Sequence, residues 1–240
     1  MTWAVTADPD RFEEAIAWFQ RRFPVTDAIL ASLGEYAGER AWTVAGIAQL
    51  DVVLDVFRSI EKAIAESTPL DEWKRGIQEK LFSAWGKRDS NRVETVFLTN
   101  VQKAYNAGRW QQVKDPLVVK ARPFLGYDAI LDGRTSPVCK RCDGTLLPAD
   151  DPWWDSHVPP LHHRCRSTIR SFTKREADRR GGVKHPGLDT DDSQPDEGFG
   201  GAPDARAPWD PDLSKYPDEL RRAFESKRAA SRLKLPPTED

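Results

Sequence analysis

The chain has 240 residues, 36 Lys and Arg against 38 Asp and Glu, and a formal net charge of −2. That length holds one substantial core with tails or two small domains, and the near-neutral balance argues against a general polyanion binder. No run is long and apolar enough to cross a bilayer. Asp8, Asp10, Glu13 and Glu14 stand where a secretory leader needs basic residues and an apolar segment, so a cytosolic setting is expected. The charge is unevenly spread. Residues 101–180 carry fifteen bases against nine acids, whereas residues 186–212 carry eight acids with Arg206 as the sole base. A basic module followed by an acidic segment suits both nucleic acid and basic protein surfaces.

In chain order, Asp8-Pro9 reads as a helix start, followed by Phe12, Ala15, Ile16 and Phe19 on one face and a stop near Pro24. A long helical segment is expected from about Asp27 to Glu66, with a break near Gly34 or Gly38. Within it Leu50, Val53, Leu54, Phe57, Ile60 and Ile64 form an apolar stripe. Thr68-Pro69-Leu70-Asp71 has a capping-box pattern and opens a helix whose face is Trp73, Ile77, Leu81 and Trp85, closed by Gly86. Asp89-Ser90-Asn91 offers the next cap, for a helix running to about Gln112. Such stripes are ordinarily core, so they describe a helical bundle and not its task. After Pro116 the pattern changes. Phe124, Tyr127, Ile130 and Leu131 with Asp132-Gly133 predict short strands and a hairpin. Residues 182–212 are too polar to fold alone, and a last helix is expected from Pro217 to about Leu233.

Cys139-Lys140-Arg141-Cys142 is followed, nineteen residues later, by His162-His163-Arg164-Cys165. Three cysteines cannot all pair with one another, and two thiolates plus a second donor pair across a loop match a closed tetrahedral zinc site. Its ligands would be Cys139, Cys142, His162 and Cys165, with His163 competing for the third place. Metal-free cysteines, or a catalytic site using His157, are the other readings. Asp155-Ser156-His157 beside a Cys pair faintly resembles an HNH-type metal nuclease, but the Asp and His are not adjacent and the expected Asn is missing. No phosphate-binding loop, dinucleotide motif or nucleophile with an evident base appears, so no catalytic residue is assigned and an enzyme is not expected.

Several blocks occur in a telling order: Asn100-Val101-Gln102-Lys103-Ala104-Tyr105-Asn106-Ala107-Gly108-Arg109, then Tyr127 and Ala129, then Asp132-Gly133-Arg134-Thr135-Ser136-Pro137. The Cys pair, Trp153-Trp154 and Pro159-Pro160-Leu161-His162-His163-Arg164-Cys165-Arg166 follow. Together they resemble the Mu F-like phage head morphogenesis family over roughly residues 40–170. The resemblance implies a minor head protein of a tailed phage or prophage, bound at the portal or carried in the capsid interior. It implies a role in head assembly, DNA packaging or DNA ejection, with the portal, the major capsid protein and packaged DNA as partners. The virion head, and the host cytoplasm during assembly, are the implied locations. A Pro often stands in that family where His163 stands here.

The fold class expected is α+β: a helical bundle over 1–114, a small β/turn module with the Cys/His cluster over 115–175, an acidic Pro/Gly-rich linker over 176–212, and a C-terminal helix and tail over 213–240 that would dock on a partner. Arg164, Arg166, Arg170, Lys174 and Arg175 are candidate nucleic-acid contacts, with a solvated helix face as the alternative. Trp153 and Trp154, in a proline-rich loop, are candidate interface anchors. The competing function is a sequence-tolerant nucleic-acid-binding zinc module.

Overall fold

The computed structural model describes residues 12–33, 41–185, 194–203 and Arg221. The expected helix start at Asp8-Pro9, the break near Gly34 or Gly38, and the helix after Pro217 (Arg221 aside) lie outside these residues. Among the described residues the order is α1 (Glu13–Gln20), β1 (Phe23–Pro24), α2 (Asp27–Leu33), β2 (Ala41–Trp42), α3 (Leu50–Glu66), α4 (Leu70–Trp85), α5 (Ser90–Val113), α6 (Pro116–Ala121), β3 (Phe124–Asp128), α7 (Pro137–Cys142), β4 (Leu146–Pro148), α8 (Trp154–His157), β5 (Thr168–Phe172) and α9 (Lys174–Arg179). Helices with two small sheets make the chain α+β.

Local chemistry sets the element ends. Ser67 and Gly86 take left-handed conformations after α3 and α4, and Asp89 accepts from the Arg92 amide to start α5. Asp115 caps α6, whose first residue is Pro116, and Thr173 with Glu176 completes a capping box on α9. The stretch from Asp27 to Glu66 is not one helix. Ala41–Trp42 pairs in parallel with Phe23–Pro24, and residues 43–49 form a turn region in which Gly46 needs φ +73°. Thr68 does not cap α4; Pro69 stands at the N-cap without a side-chain bond.

Two main cores form. In the first, Phe19 stacks on Phe57 at 4.8 Å and Trp42 meets both rings edge-on, with Ile60, Trp73, Leu81, Val93 and Phe97 packed around them. The second surrounds the antiparallel sheet β4-β3-β5 and contains Val113, Leu125, Tyr127, Leu147, Trp154, Leu161 and Ile169. The 24-residue α5 serves both, burying Val93, Phe97, Ala104 and Ala107 in one and Val113 in the other.

Two expectations are corrected. Asp132-Gly133 does not turn a hairpin: β3 ends at Asp128, its partners are β4 and β5, and Ile130 and Leu131 are exposed. The reason is that Asp132 is taken up by Arg166 at 2.6 and 2.8 Å. Nor is all of 182–212 loose. Residues 194–203 lie against the second core through Asp196 N–H to Leu161 O, Gly200 N–H to Pro160 O, Val158 N–H to Gly200 O and Ala202 N–H to Asp155 O. Phe199 packs edge-on to the His163 ring. A Cβ at Gly200 would meet Ser156 O at 2.2 Å, so only glycine permits this approach.

Candidate metal centre

Ser136-Pro137 builds one limb of the site. A serine N-cap followed by proline at the first helical position starts a short helix, and Ser136 Oγ accepts from the Cys139 amide at 3.3 Å. That helix carries Cys139 and Cys142 into the second core. The other limb is the loop from Leu161 to Cys165. It reverses at Arg164, which adopts φ +59°, a conformation rare for a non-glycine residue. The Arg164 N–H to Thr99 Oγ1 bond at 3.1 Å fixes that reversal against α5.

The two limbs converge. His162 Nε2 lies 3.2 Å from Cys139 Sγ and 2.8 Å from Ser136 Oγ. Cys165 Sγ lies 3.6 Å from Cys139 Sγ, and Tyr127 Oη is 3.4 Å from the same sulfur. His162 Nδ1 sits 2.7 Å from the His163 carbonyl. A carbonyl only accepts, so Nδ1 carries the proton and Nε2 is turned toward the sulfurs, the orientation a metal-ligating histidine needs. Cys139, His162 and Cys165 thus place one donor atom each within 4.8 Å of the others. Of the four ligands expected, these three come together. Cys142, fully buried on the same helix, falls outside the group, and His163 turns to Phe199 instead.

The electrostatics show what the pocket wants. Cys139 is drawn down to about 3, first by the Cys165 hydrogen bond and then, against burial, by His162, Ser136 and Ser167. Cys165 is pushed above the usual thiol range because it donates to Cys139 and is buried. Burial, then the nearby Cys139 charge, raises Cys142 to about 12. The Cys139 hydrogen bond raises His162 against the effect of burial. Left to itself the cluster supports one thiolate; a cation among these donors offsets the burial and the neighbouring charge that help keep the second protonated. The spacing suits one. Metal–sulfur bonds of about 2.3 Å and metal–nitrogen bonds of about 2.0 Å in a tetrahedron put neighbouring donors roughly 3.5–3.8 Å apart.

The remaining candidates lie elsewhere. Trp153 and Trp154 do not face outward as interface anchors: they are 5% and 1% exposed, and pack edge-on to each other at 4.8 Å, because Trp154 Nε1 donates inward to Pro148 O. His157 is buried, stacked on Trp153 at 4.4 Å, with Nδ1 2.8 Å from Ser156 Oγ. Arg164 pairs with Glu94, Arg166 with Asp132, Arg170 with Asp128 and Lys174 with Asp178. Four of the five proposed phosphate contacts therefore already face carboxylates. The Arg175 carbonyl receives Arg179 Nε.

Residue-type reasoning missed a clamp. Gln102 Nε2 and Asn106 Nδ2 both donate to Ser167 O, at 2.8 and 3.0 Å, and Arg109 Nε donates to Ile169 O at 3.3 Å. Positions 102, 106 and 109 share one face of α5, so a polar stripe on an otherwise core-facing helix was the available signal. It pins β5, and with it Cys165, to the helical half.

The segment that makes this clamp and cluster is also the one shared with known proteins. The model of the family described as "Phage Mu protein F like protein" matches residues 55–170. Over those residues the chain is similar to the Mu F-like family. The F protein of Escherichia phage Mu, named for capsid assembly, is 28% identical over 179 residues, covering 67% of this chain and 40% of that protein. The F protein of the Mu-like prophage FluMu of Haemophilus influenzae is 30% identical over 160 residues, 61% of this chain and 38% of its own length. The chain thus spans about two fifths of each of these relatives. No solved structure matches it. The Mu F-like region runs from within α3 into β5 and encloses both the α5 clamp and the three clustered donors.

Proposed function

We propose that this Mu F-like chain is a minor head protein of a tailed phage or prophage particle. It acts in head assembly, at the portal or on the capsid interior, and contributes to packaging or ejection of DNA. The observation that carries the reading is the family match over residues 55–170 together with a relative named for capsid assembly. The metal trio serves as a scaffold within that role: zinc, bound by Cys139, His162 and Cys165, would link α7 to the loop before β5 and so add a crosslink to the second core. When bound, the ion supplies fixed charge and crosslinking; Ser136, Tyr127 and the His163 carbonyl orient its ligands.

A general nucleic-acid-binding module is the second reading, and the ion pairs on Arg164, Arg166, Arg170 and Lys174 weigh against it. Deleting the gene for this chain from a producing strain and counting DNA-filled heads tests the proposal. The expected result is fewer filled heads, restored by the wild-type chain; a normal yield of filled, infectious particles would overturn it.

A further inference from the structure

A metal at the trio has three protein donors, so the identity of the fourth is open. Cys142 is the obvious claimant by sequence, yet it lies outside the donor group and is wholly enclosed in the second core. Ser136 also borders the cluster, its Oγ 2.8 Å from His162 Nε2, closer than either sulfur approaches another donor. Ser136 and His162 also line a cleft of about 360 Å³, whereas Cys139 and Cys165 are 2% exposed. The accessible side of the cluster is therefore its oxygen side.

We propose that the metal keeps its fourth position for an exchangeable oxygen donor, a water or small monoanion seated against the Ser136 hydroxyl in this cleft, and that Cys142 is a core thiol. This rests on the metal reading given above. Three protein ligands with a fourth exchangeable position are a known arrangement for zinc. The cleft walls set the ligand class. His163 and Gln194 offer hydrogen bonds, while Asp196, which also lines the cleft, repels anions in proportion to their charge, so phosphate esters and nucleic acid are disfavoured most and water or a small singly charged donor least.

The test uses the full chain loaded with cobalt(II), whose visible bands report geometry and whose near-ultraviolet sulfur charge transfer scales with the number of bound thiolates. The expected result is a two-thiolate intensity that Cys142→Ser leaves unchanged, and visible bands that shift on adding azide. Ser136→Ala should alter the azide affinity several-fold while retaining equimolar cobalt. Loss of about a third of the charge transfer in Cys142→Ser, as for three thiolates becoming two, would overturn the proposal, as would visible bands indifferent to azide. Should Cys142→Ser fail to fold, X-ray absorption on the wild-type zinc form decides between two sulfur neighbours and three. Absence of cobalt and zinc binding overturns the metal reading with it, but leaves the head-assembly reading to the particle assay.

Discussion

Glu94 links the helical half to the loop that carries His162. Its carboxylate meets Lys74 Nζ at 2.7 Å and Arg164 Nη2 at 3.1 Å, and the Lys74 hydrogen bond, working against burial, holds its pKa below the ordinary 4.5. A carboxyl with a depressed folded pKa adds stability above its unfolded value and loses it as pH falls through the folded one. Glu94→Gln should therefore lower the melting temperature at neutral pH by an amount worth about 1 kcal/mol or less. The gap should close below the ordinary value of 4.5. Thermal melts across that range check this, and a gap unchanged in acid contradicts it. Asn106 is a stronger case because it is fully buried and its amide holds Ser167 O beside Gln102. Asn106→Ala should cost about 1–3 kcal/mol in urea unfolding; no measurable cost would show that Gln102 carries the clamp alone.

At the scale of elements, two helical glycines have opposite expectations. On α5, a Cβ at Gly108 would come within 2.6 Å of the Ala15 backbone nitrogen of α1. Gly108→Ala must push the two helices apart, at a cost of roughly 1–3 kcal/mol. Gly76 in α4 has nothing within 4 Å, so Gly76→Ala should stabilise by about 0.5–1 kcal/mol through helix propensity. Chemical denaturation of both variants tests the pair, and a neutral Gly108→Ala would deny the close α1–α5 contact. Sequence periodicity made α3, α4 and α5 readable, and with them Gly86 and Asp89 as end signals, because each helix states its own buried face locally. Residues 41–49 were not readable as strand and turn, because two-residue strands such as β2 depend on a distant partner, Phe23–Pro24. The strap at 194–203 was missed for a similar reason. Its composition is polar, and what holds it is main-chain bonding to Asp155, Val158, Pro160 and Leu161, leaving Phe199 as the one local sign. Cys139, Cys142 and Cys165 announce metal chemistry by type and spacing, but spacing alone cannot say that His162 joins the cluster, that His163 faces Phe199, or that Cys142 lies outside the donor group.

For the whole molecule, α5 joins the helical core to a second apolar core around the three-stranded sheet, which also holds the cysteines of the donor cluster. If the bound metal supports the second core, chelation should loosen it first. Hydrogen exchange is expected to rise in β3, β4, β5 and the 194–203 strap on adding a chelator, while α3 and α4 stay protected. Uniform loss of protection would show a single cooperative unit. At the same scale, the proposal of a head-assembly role rests on the region of similarity to Mu F-like proteins, residues 55–170. The most direct measurement is co-sedimentation of the tagged chain with particles from a producing strain, quantified by mass spectrometry against the capsid subunit. The chain should travel with the heads at a small fraction of the capsid copy number. Recovery only at the top of the gradient, with heads that assemble without it, would contradict the head-assembly role.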